Sequence, residues 1–378
     1  MKKVLIVGGT GVISYAVVNE AIKQNIKVTC INRGRSKNQK LPSDVEVIIA
    51  DYHNRTQIEY ALKGRFFDCV VDVLCYTEKD IEYSVSLFKD KCDQYMFFSS
   101  CAVYNKGKGD YVCTEESPLV NPVWQYSIDK VRSEHKLIEL SKTYSLNYTI
   151  VRPAVTYGNT RIPYGITPPY GYHGTLIQRI IHHKPIILWD NGEALSTITR
   201  VEDFAVGLVG LIGNKMAYNE IFHIVGDERH SWSEVIDLLG EILNEKPEFL
   251  SLTKEQLAFE LPDRKGEILG GRGISQLLDN RKIKTVVPSF KTNIPLKEGL
   301  RMTVDYYLAN GYLNGVDYSF DGDWDRIVKK YAPSNKSKGF IDYLHNATLK
   351  DRFRYYAALY KKTLAVSLLY KIKRVIKR

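Results

Sequence analysis

The stretch that decides the fold is Lys3-Val4-Leu5-Ile6-Val7-Gly8-Gly9-Thr10-Gly11-Val12-Ile13-Ser14, a short apolar run that enters a glycine-rich turn. A helical segment over 15–24 follows it. Gly8 would form the tight turn, Gly11 would let the backbone approach a pyrophosphate, and the helix amino terminus would face the phosphates. Ser14 stands where a third glycine is usual, and we expect a slight shift of the loop without loss of binding. The motif predicts a dinucleotide-binding loop made of Gly8, Thr10, Gly11, Val12 and Ile13.

The sequence around this motif alternates short β-branched and apolar runs with helical segments. The runs lie at 3–7, 26–31, 45–49, 69–73, 94–99 and 147–151. Such alternation is typical of a doubly wound parallel sheet, so we expect an α/β, Rossmann-like fold. Two later runs, at 186–188 and 221–225, are expected to extend the same sheet.

We predict three parts in the chain. Residues 1–157 and 199–225 would form the dinucleotide-binding domain, and residues 158–198 and 226–330 a smaller, discontinuous substrate-binding domain. The segment 157–174 is rich in Gly, Pro and Tyr, which is typical of a loop that packs over a bound molecule. Residues 331–378 would form a basic helical tail.

The charge of the 378-residue chain is concentrated in that tail. The formal net charge is +10, and residues 331–378 hold twelve Lys and Arg against two acids, so the body is neutral. From residue 348 onward, apolar and basic side chains alternate at helical spacing, which predicts a basic amphipathic helix. This helix could lie on an anionic membrane surface, pack on the body or meet a second copy in a homodimer. Nucleic-acid binding is less expected, because aromatic stacking platforms on a defined fold are absent. The apolar positions of the helix are Leu349, Phe353, Tyr356, Tyr360, Leu364, Leu368 and Ile372.

Cysteine and histidine usage points to a reducing compartment. Six cysteines all lie in the first third and form no CxxC pair, and the histidines lack metal-ligand spacing. We therefore expect neither a disulfide framework nor a metal site. No run approaches the ~20 apolar residues of a membrane span. The expected location is the cytoplasm, with the tail placing the protein at the periphery of the inner membrane surface.

The end of the second predicted strand bears on the choice of cofactor. Asn32-Arg33-Gly34-Arg35 stands where an NAD enzyme would place an acid against the ribose 2′-hydroxyl. A guanidinium can pair with a 2′-phosphate, so Arg33 favours NADP over NAD, unless Arg33 stacks on the adenine or is solvated. Asp51, after the third strand, would accept from the adenine amino group or cap the following helix.

Tyr126 and Lys130 form the candidate catalytic pair. A spacing of four residues places both on one face of a predicted helix. The Lys130 ammonium would lower the Tyr126 pKa and favour the phenolate, which is the form that can accept a proton. Ser100, at the end of an earlier strand, would hydrogen-bond the substrate oxygen.

In combination, these motifs resemble the extended short-chain dehydrogenase/reductase family. The order is GGTGVIS at 8–14, FFSSCAVY at 97–104, Tyr126 with Lys130, and VRPAVTYG at 151–158. Within that family the chain looks like the nucleotide-sugar epimerases and dehydratases of the UDP-galactose 4-epimerase type, over about residues 1–315. The resemblance implies that Ser100 is the catalytic hydroxyl, Tyr126 the acid/base, and Lys130 the residue that binds the nicotinamide ribose and tunes Tyr126.

The implied activity is epimerisation of a nucleotide sugar by transient oxidation, expected at C4 of the ring, with NADP or NAD as cofactor. The alternatives are NADPH-dependent reduction of a 4-keto sugar, and a non-catalytic nucleotide-binding module that docks on RNA or membrane through its tail. Binding alone needs no phenolate, so the set of Ser100, Tyr126 and Lys130 favours an enzyme.

Two departures from the family pattern narrow this interpretation. Cys101-Ala102 stands where the 4,6-dehydratases carry Asp-Glu, so dehydration is not expected. Ser196 stands where the family usually places an arginine for the substrate diphosphate. The arginines that could substitute for it are Arg161, Arg179, Arg200 and Arg272, and the sequence does not choose among them.

Overall fold

The computed structural model describes residues 1–34, 40–104, 111–333, 344 and 347–361. The chain divides into two compact units. The first unit comprises 1–158, 194–230 and 263–299, and the second comprises 159–193, 231–262 and the chain from 300 onward. These boundaries differ from the predicted ones: segment 263–299, which we expected in the substrate-binding domain, belongs to the first unit because its backbone pairs with strands there.

In chain order the described strands are β1 (Lys3–Val7), β2 (Lys27–Asn32), β3 (Glu46–Ile49), β4 (Cys69–Asp72), β5 (Gln94–Phe98), β6 (Val112–Cys113), β7 (Asn147–Val151), β8 (Val155–Tyr157), β9 (Ile186–Trp189), β10 (Leu195–Arg200), β11 (Glu220–Phe222), β12 (Arg229–Ser231), β13 (Phe249–Leu252) and β14 (Leu277–Leu278). The described α-helices are α1 (Val12–Lys23), α2 (Arg55–Ala61), α3 (Glu78–Phe88), α4 (Gln125–Tyr144), α5 (Gly174–Ile181), α6 (Val201–Leu211), α7 (Trp232–Leu243), α8 (Lys254–Glu260), α9 (Lys265–Glu267), α10 (Arg281–Val286), α11 (Leu296–Ala309), α12 (Tyr318–Tyr331) and α13 (Leu349–Leu359).

A seven-stranded sheet with the order β11-β7-β5-β4-β1-β2-β3 forms the centre of the first unit. Every pair in it is parallel. The prediction of a doubly wound, Rossmann-like sheet is therefore confirmed. The carboxyl ends of β1, β2, β4 and β5 lie along one edge, which is where open α/β sheets bind their ligands.

Both faces of the sheet are buried. Successive side chains of a strand point to opposite faces, so Val4 and Ile6 of β1 join one hydrophobic cluster, which includes residues of α1 and α6. Leu5 and Val7 join a second cluster with residues of α2, α3 and α4. All six cysteines are buried thiols, and none of them forms a disulfide.

One of the two later runs has a different partner from the expected one. The run at 221–225 supplies β11, which pairs with β7 as expected. The run at 186–188 does not join the large sheet: it becomes β9 and pairs with β13 in a two-stranded sheet of the second unit. A short apolar run fits any buried strand, so its partner is decided by the tertiary fold.

The second unit has its own core. Tyr164, Trp189, Trp232 and Trp324 pack against one another, with ring centroids 5.7–6.4 Å apart. A fully buried ionic cluster lies in the same unit and consists of Arg179, Lys184, Asp321 and Asp325.

The described part of the predicted tail forms α13, which packs on α12. Tyr355 is buried, and its hydroxyl donates to Asp325 Oδ2 over 2.7 Å. The described residues that we expected on the apolar face of the helix are exposed: Leu349, Phe353, Tyr356 and Tyr360. Residues 362–378, with the remaining predicted apolar positions, lie outside the described residues. Within the part of the chain described, no helix is long and apolar enough to cross a membrane.

Candidate active site

The glycine-rich turn after β1 has two positions at which a side chain would not fit. Gly8 has a φ of +89°, in the left-handed region that favours glycine. A Cβ on Gly9 would lie 2.5 Å from the Cys30 sulfur. The loop therefore needs glycine at both positions to keep this shape, and Gly9 is buried against Cys30 of β2. Gly11 is the exposed glycine of the loop, and its bare backbone suits the close approach of a pyrophosphate.

Ser14 ties this loop together. Its hydroxyl donates to the Gly8 carbonyl over 2.6 Å and accepts from the Gly11 N–H over 3.0 Å. Helix α1 begins directly after Gly11 and has no acidic residue in its first turn. Its amino terminus therefore keeps its positive dipole end available for phosphate.

At the adenine end of the predicted site, the end of β2 carries no acid. The buried Asn32 Nδ2 has no hydrogen-bond partner within the described residues, and Arg33 is exposed. Arg35 lies outside the described residues. Asp51 is exposed and accepts from the His53 N–H over 3.1 Å. The cap of α2 is Asn54 and not Asp51, which leaves the Asp51 carboxylate for a ligand.

The Asn32 amide, which has no hydrogen-bond partner among the described residues, and the glycine turn both fit a bound dinucleotide. Each lies at the carboxyl end of a strand and offers polar groups to a ligand. The group would be held at its phosphates by the 8–13 loop and the start of α1.

The structure brings the three predicted catalytic residues together. Ser100 lies close enough to Tyr126 for its hydroxyl to act on the pKa of the phenol, in the direction that lowers it. Ser100 Oγ also accepts from the Ala102 N–H over 3.2 Å, which fixes the Ser100 side chain at the end of β5. Lys130 lies one turn after Tyr126 on α4, with its Nζ 5.8 Å from the centre of the Tyr126 ring.

The protonation of this pair differs from the sequence expectation. Burial raises the pKa of Tyr126 to about 12, although Ser100 and the charge of Arg272 act in the opposite direction. Lys130 is not among the main causes of this pKa shift. The Lys130 ammonium donates to the carbonyls of Cys75 and Phe98 over 2.6 and 2.7 Å, and burial lowers its own pKa to about 8. An ammonium has three donors, so one remains for a ribose hydroxyl.

One segment that lines this site was not predicted from the sequence. A π-helical turn, Ile268–Arg272, packs against Trp124: a Cβ on Gly271 would lie 2.9 Å from the Trp124 ring. Asn121 Nδ2 donates to the Gly270 carbonyl over 2.7 Å. The Trp124 and Tyr126 rings are 4.9 Å apart. The pair Gly270-Gly271 before an arginine was the available signal, because adjacent glycines mark close backbone approach.

The structure also sorts the arginines that could bind a substrate anion. Arg179 is committed to the buried ionic cluster of the second unit. Arg200 donates to Glu202 and to the Gly299 carbonyl. Arg161 lies over the Tyr170 ring, 5.4 Å from its centre, in the second unit. Arg272 belongs to the first unit and is close enough to Tyr126 to act on its pKa.

Ser196 does not replace the missing family arginine. Its side chain is fully buried, and its backbone pairs with Gln276, whose Oε1 accepts from the Cys101 thiol over 3.2 Å. Cys101 is thus held beside Ser100 by a hydrogen bond to a neighbouring segment.

Comparison with known proteins agrees with this geometry. Residues 4–224 match the NAD dependent epimerase/dehydratase family. The chain belongs to this family.

Individual relatives in the epimerase/dehydratase family are distant. A putative UDP-glucose 4-epimerase of Methanocaldococcus jannaschii is 24% identical over 339 residues, which cover 81% of this chain and 99% of that protein. The chloroplast stem-loop binding protein of 41 kDa b of Arabidopsis thaliana is 27% identical over 239 residues. That match spans 60% of this chain and 59% of the relative.

Solved structures share the fold. UDP-glucuronic acid 4-epimerase from Bacillus cereus, in complex with UDP-glucuronic acid and NAD, aligns with a TM-score of 0.66 at 19% identity, over 81% of this chain and 99% of that one. UDP-glucose 4-epimerase from Thermus thermophilus, in complex with NAD, gives 0.63 at 18% identity, over 82% and 99%.

Proposed function

We propose that this protein is a nucleotide-sugar epimerase that acts by transient oxidation at C4 of the sugar ring. The observation that carries the proposal is the grouping of Ser100, Tyr126 and Lys130 at the end of β5, with Lys130 one helical turn after Tyr126. Membership of the epimerase/dehydratase family and the epimerases among its relatives support it.

Tyr126 would act as base and then as acid. Bound nicotinamide cofactor would supply the hydride acceptor and donor. Tyr126 takes the proton of the sugar hydroxyl while Ser100 holds the same oxygen by a hydrogen bond, and Tyr126 later returns that proton to the oxygen. Because burial holds the Tyr126 pKa near 12 even with Arg272 nearby, the phenol needs further positive charge on binding, which an oxidised nicotinamide would provide.

For the cofactor we propose NADP, with NAD as the alternative. Arg33 is exposed at the end of β2, and no acid follows the strand to repel a 2′-phosphate. Asp51 would accept from the adenine amino group, and the third donor of Lys130 would bind the nicotinamide ribose.

Arg272 is the residue that we propose for the negative charge of the substrate. It stands on the π-helical turn packed against Trp124, next to the phenol of Tyr126. A guanidinium there can pair with a phosphate or carboxylate oxygen in two hydrogen bonds.

Product analysis decides between the possible reactions. The purified protein is incubated with a panel of nucleotide sugars, with and without NADPH, and products are read by mass spectrometry and by NMR of the sugar. A C4 epimer formed without net cofactor use supports the proposal. Net NADPH consumption on a 4-keto sugar would replace epimerisation by ketoreduction. Tight nucleotide binding with no turnover on the whole panel would favour a non-catalytic module.

We also propose that α13 docks the protein on an anionic membrane surface. Leu349, Phe353, Tyr356 and Tyr360 follow one another at three- and four-residue spacing, so they share one side of the helix, and each is at least 42% exposed. Lys350 and Arg354 are exposed on the same helix.

The charge of the following sequence favours a lipid partner over a protein one. Residues 361–378 contain seven Lys and Arg and no acid. Exposed aromatic side chains beside basic residues suit the interface of an anionic bilayer, where each basic residue contributes about 1 kcal/mol of binding free energy. A homodimer through the same surface is the outcome that would exclude this proposal.

A further inference from the structure

The first unit contains a buried polar cluster around Asp72, the last residue of β4. Asp72 is close enough to Lys130, the proposed catalytic lysine, to act on its pKa. The Asp72 carboxylate is fully buried. Asp72 Oδ2 accepts from the hydroxyls of Tyr52 and Tyr95, each over 3.0 Å, and from the Cys75 thiol over 3.2 Å. Asp72 Oδ1 accepts from the Leu74 N–H over 2.9 Å. Four donors thus satisfy the carboxylate without a directly paired cation among the described residues.

The cluster is closed on itself. Ser84 Oγ lies 2.6 Å from the Tyr52 hydroxyl and 3.0 Å from the Cys75 sulfur. Burial, with the charge of Asp72 as a further cause, raises the pKa values of Tyr52, Tyr95 and Cys75, so these three groups stay neutral donors. A buried network in which every member is satisfied holds its residues in one arrangement.

Two of the four donors, Leu74 and Cys75, belong to the turn that leaves β4. The carbonyl of Cys75 accepts from Lys130 Nζ over 2.6 Å. Cys75, whose carbonyl accepts from Lys130, is therefore itself hydrogen-bonded to the Asp72 carboxylate. We propose that Asp72 is the positioning residue for Lys130: its carboxylate fixes the turn that presents the Cys75 carbonyl and keeps negative charge beneath the ammonium.

This inference rests on the proposed role of Lys130 in catalysis. Burial lowers the Lys130 pKa, and four acidic side chains act in the opposite direction. Cys75 is the largest of these four upward causes, followed by the carboxylates of Asp72, Glu134 and Asp80. The groups that face the ammonium are Asp72, Cys75, Asp80 and Glu134 together with the rings of Tyr76, Phe97 and Tyr126.

The test measures the Lys130 pKa in the full-length protein without substrate. Lysines are labelled with carbon-13 at Cε, the Lys130 signal is assigned by its loss in Lys130→Met, and its shift is followed by NMR from pH 6 to 10. We expect Asp72→Asn to lower the Lys130 pKa by about one unit or more, the effect of removing one charge at short range in a buried site. Asp72→Ser is a second neutral variant that can still accept from the Leu74 N–H.

Glu260→Gln is the matched control. Glu260 is also a fully buried carboxylate, but it pairs with Arg326 and Lys330 in the second unit, so its loss should leave the Lys130 pKa unchanged. In turnover assays the neutral Asp72 variants should shift the pH profile of kcat with little change in KM, and Glu260→Gln should not shift it.

A folded Asp72→Asn or Asp72→Ser protein with the wild-type Lys130 pKa overturns the proposal. If both fail to fold while Glu260→Gln folds, Asp72 is a structural residue and the positioning role is equally excluded. The NMR titration needs no sugar substrate, so absence of epimerase activity would refute the proposed function while leaving this result standing.

Discussion

The Ser14 hydroxyl donates to the Gly8 carbonyl over 2.6 Å and thereby closes the loop that opens the fold. A glycine at position 14 would provide only space, whereas serine satisfies both the Gly8 carbonyl and the Gly11 N–H. The departure from the usual fingerprint is therefore compensated by two hydrogen bonds within the loop.

Ser14→Ala should destabilise this loop. It leaves a partly buried donor and acceptor without partners, so we expect the free energy of unfolding to fall by about 1–3 kcal/mol. Denaturant titration checks the value, and calorimetry should show weaker cofactor binding. Ser43→Ala removes an exposed serine that donates to Asp44, and should change neither quantity. Equal behaviour of the two variants would mean that the Ser14 bonds contribute nothing.

Tyr126→Phe removes the proposed proton acceptor and keeps the ring. Turnover should fall at least ~100-fold, the usual contribution of general acid–base catalysis, while folding survives. Initial rates with the substrate found in the nucleotide-sugar panel measure the effect. Tyr60→Phe, at a side chain 83% exposed, is the control and should keep full activity. Near-normal turnover of a folded Tyr126→Phe protein would eliminate Tyr126 as the acid/base.

Arg33 should decide the cofactor preference. If its guanidinium pairs with the 2′-phosphate, NADP binds more tightly than NAD, and Arg33→Ala narrows the difference by about 1.5–3 kcal/mol, the range of a charge-assisted hydrogen bond. Calorimetry with both cofactors measures the difference. Two equal affinities in the unmutated protein would show that Arg33 does not read the phosphate.

Arg179→Met should lower the free energy of unfolding of the second unit and leave substrate binding unchanged. The guanidinium pairs with Asp321 and Asp325 where both partners are buried, so its loss leaves carboxylate charge uncompensated and costs about 3–5 kcal/mol of stability. Arg281→Met breaks an ion pair with Asp279 in which the arginine is 83% exposed, and should cost less than about 1 kcal/mol. A raised KM at unchanged stability would instead assign Arg179 to the substrate.

The docking proposal predicts binding to anionic liposomes. Sedimentation with phosphatidylglycerol vesicles should retain the protein, high salt should release it, and neutral vesicles should retain little. Phe353→Ser, or deletion of residues 362–378, should weaken pelleting and leave activity intact, because neither removes Tyr355 from its contact with Asp325. Phe259→Ser, at another exposed phenylalanine, is the control.

A concentration-dependent dimer that disappears in Phe353→Ser, with no lipid binding, would exclude the membrane and assign the surface to a second copy. Retention on RNA in place of lipid would support the nucleic-acid alternative.

Local patterns were sufficient for most strands of the large sheet, although the run at 186–188 does not belong to it, and for the helix that carries Tyr126 and Lys130. The strand at 3–7 and the turn after it follow from the local backbone preferences of β-branched residues and glycines. A spacing of four residues places Tyr126 and Lys130 on one face of any helix that contains both. Such short-range rules depend on backbone geometry alone, and they predicted β1, the 8–14 turn and the helix of the catalytic pair.

Tertiary structure decided which distant segments meet, because that depends on packing and burial of the whole chain. It paired β9 with β13, brought the turn of Arg272 against Trp124, and buried Tyr355 against α12 while Leu349 and Phe353 remain exposed. Tertiary structure also determines the protonation of Tyr126, because burial raises its pKa. It places the Cys75 carbonyl where it accepts a hydrogen bond from the Lys130 ammonium. Desolvation is set by every group around a side chain, so a spacing of four residues determines where Lys130 lies but not the charge it carries.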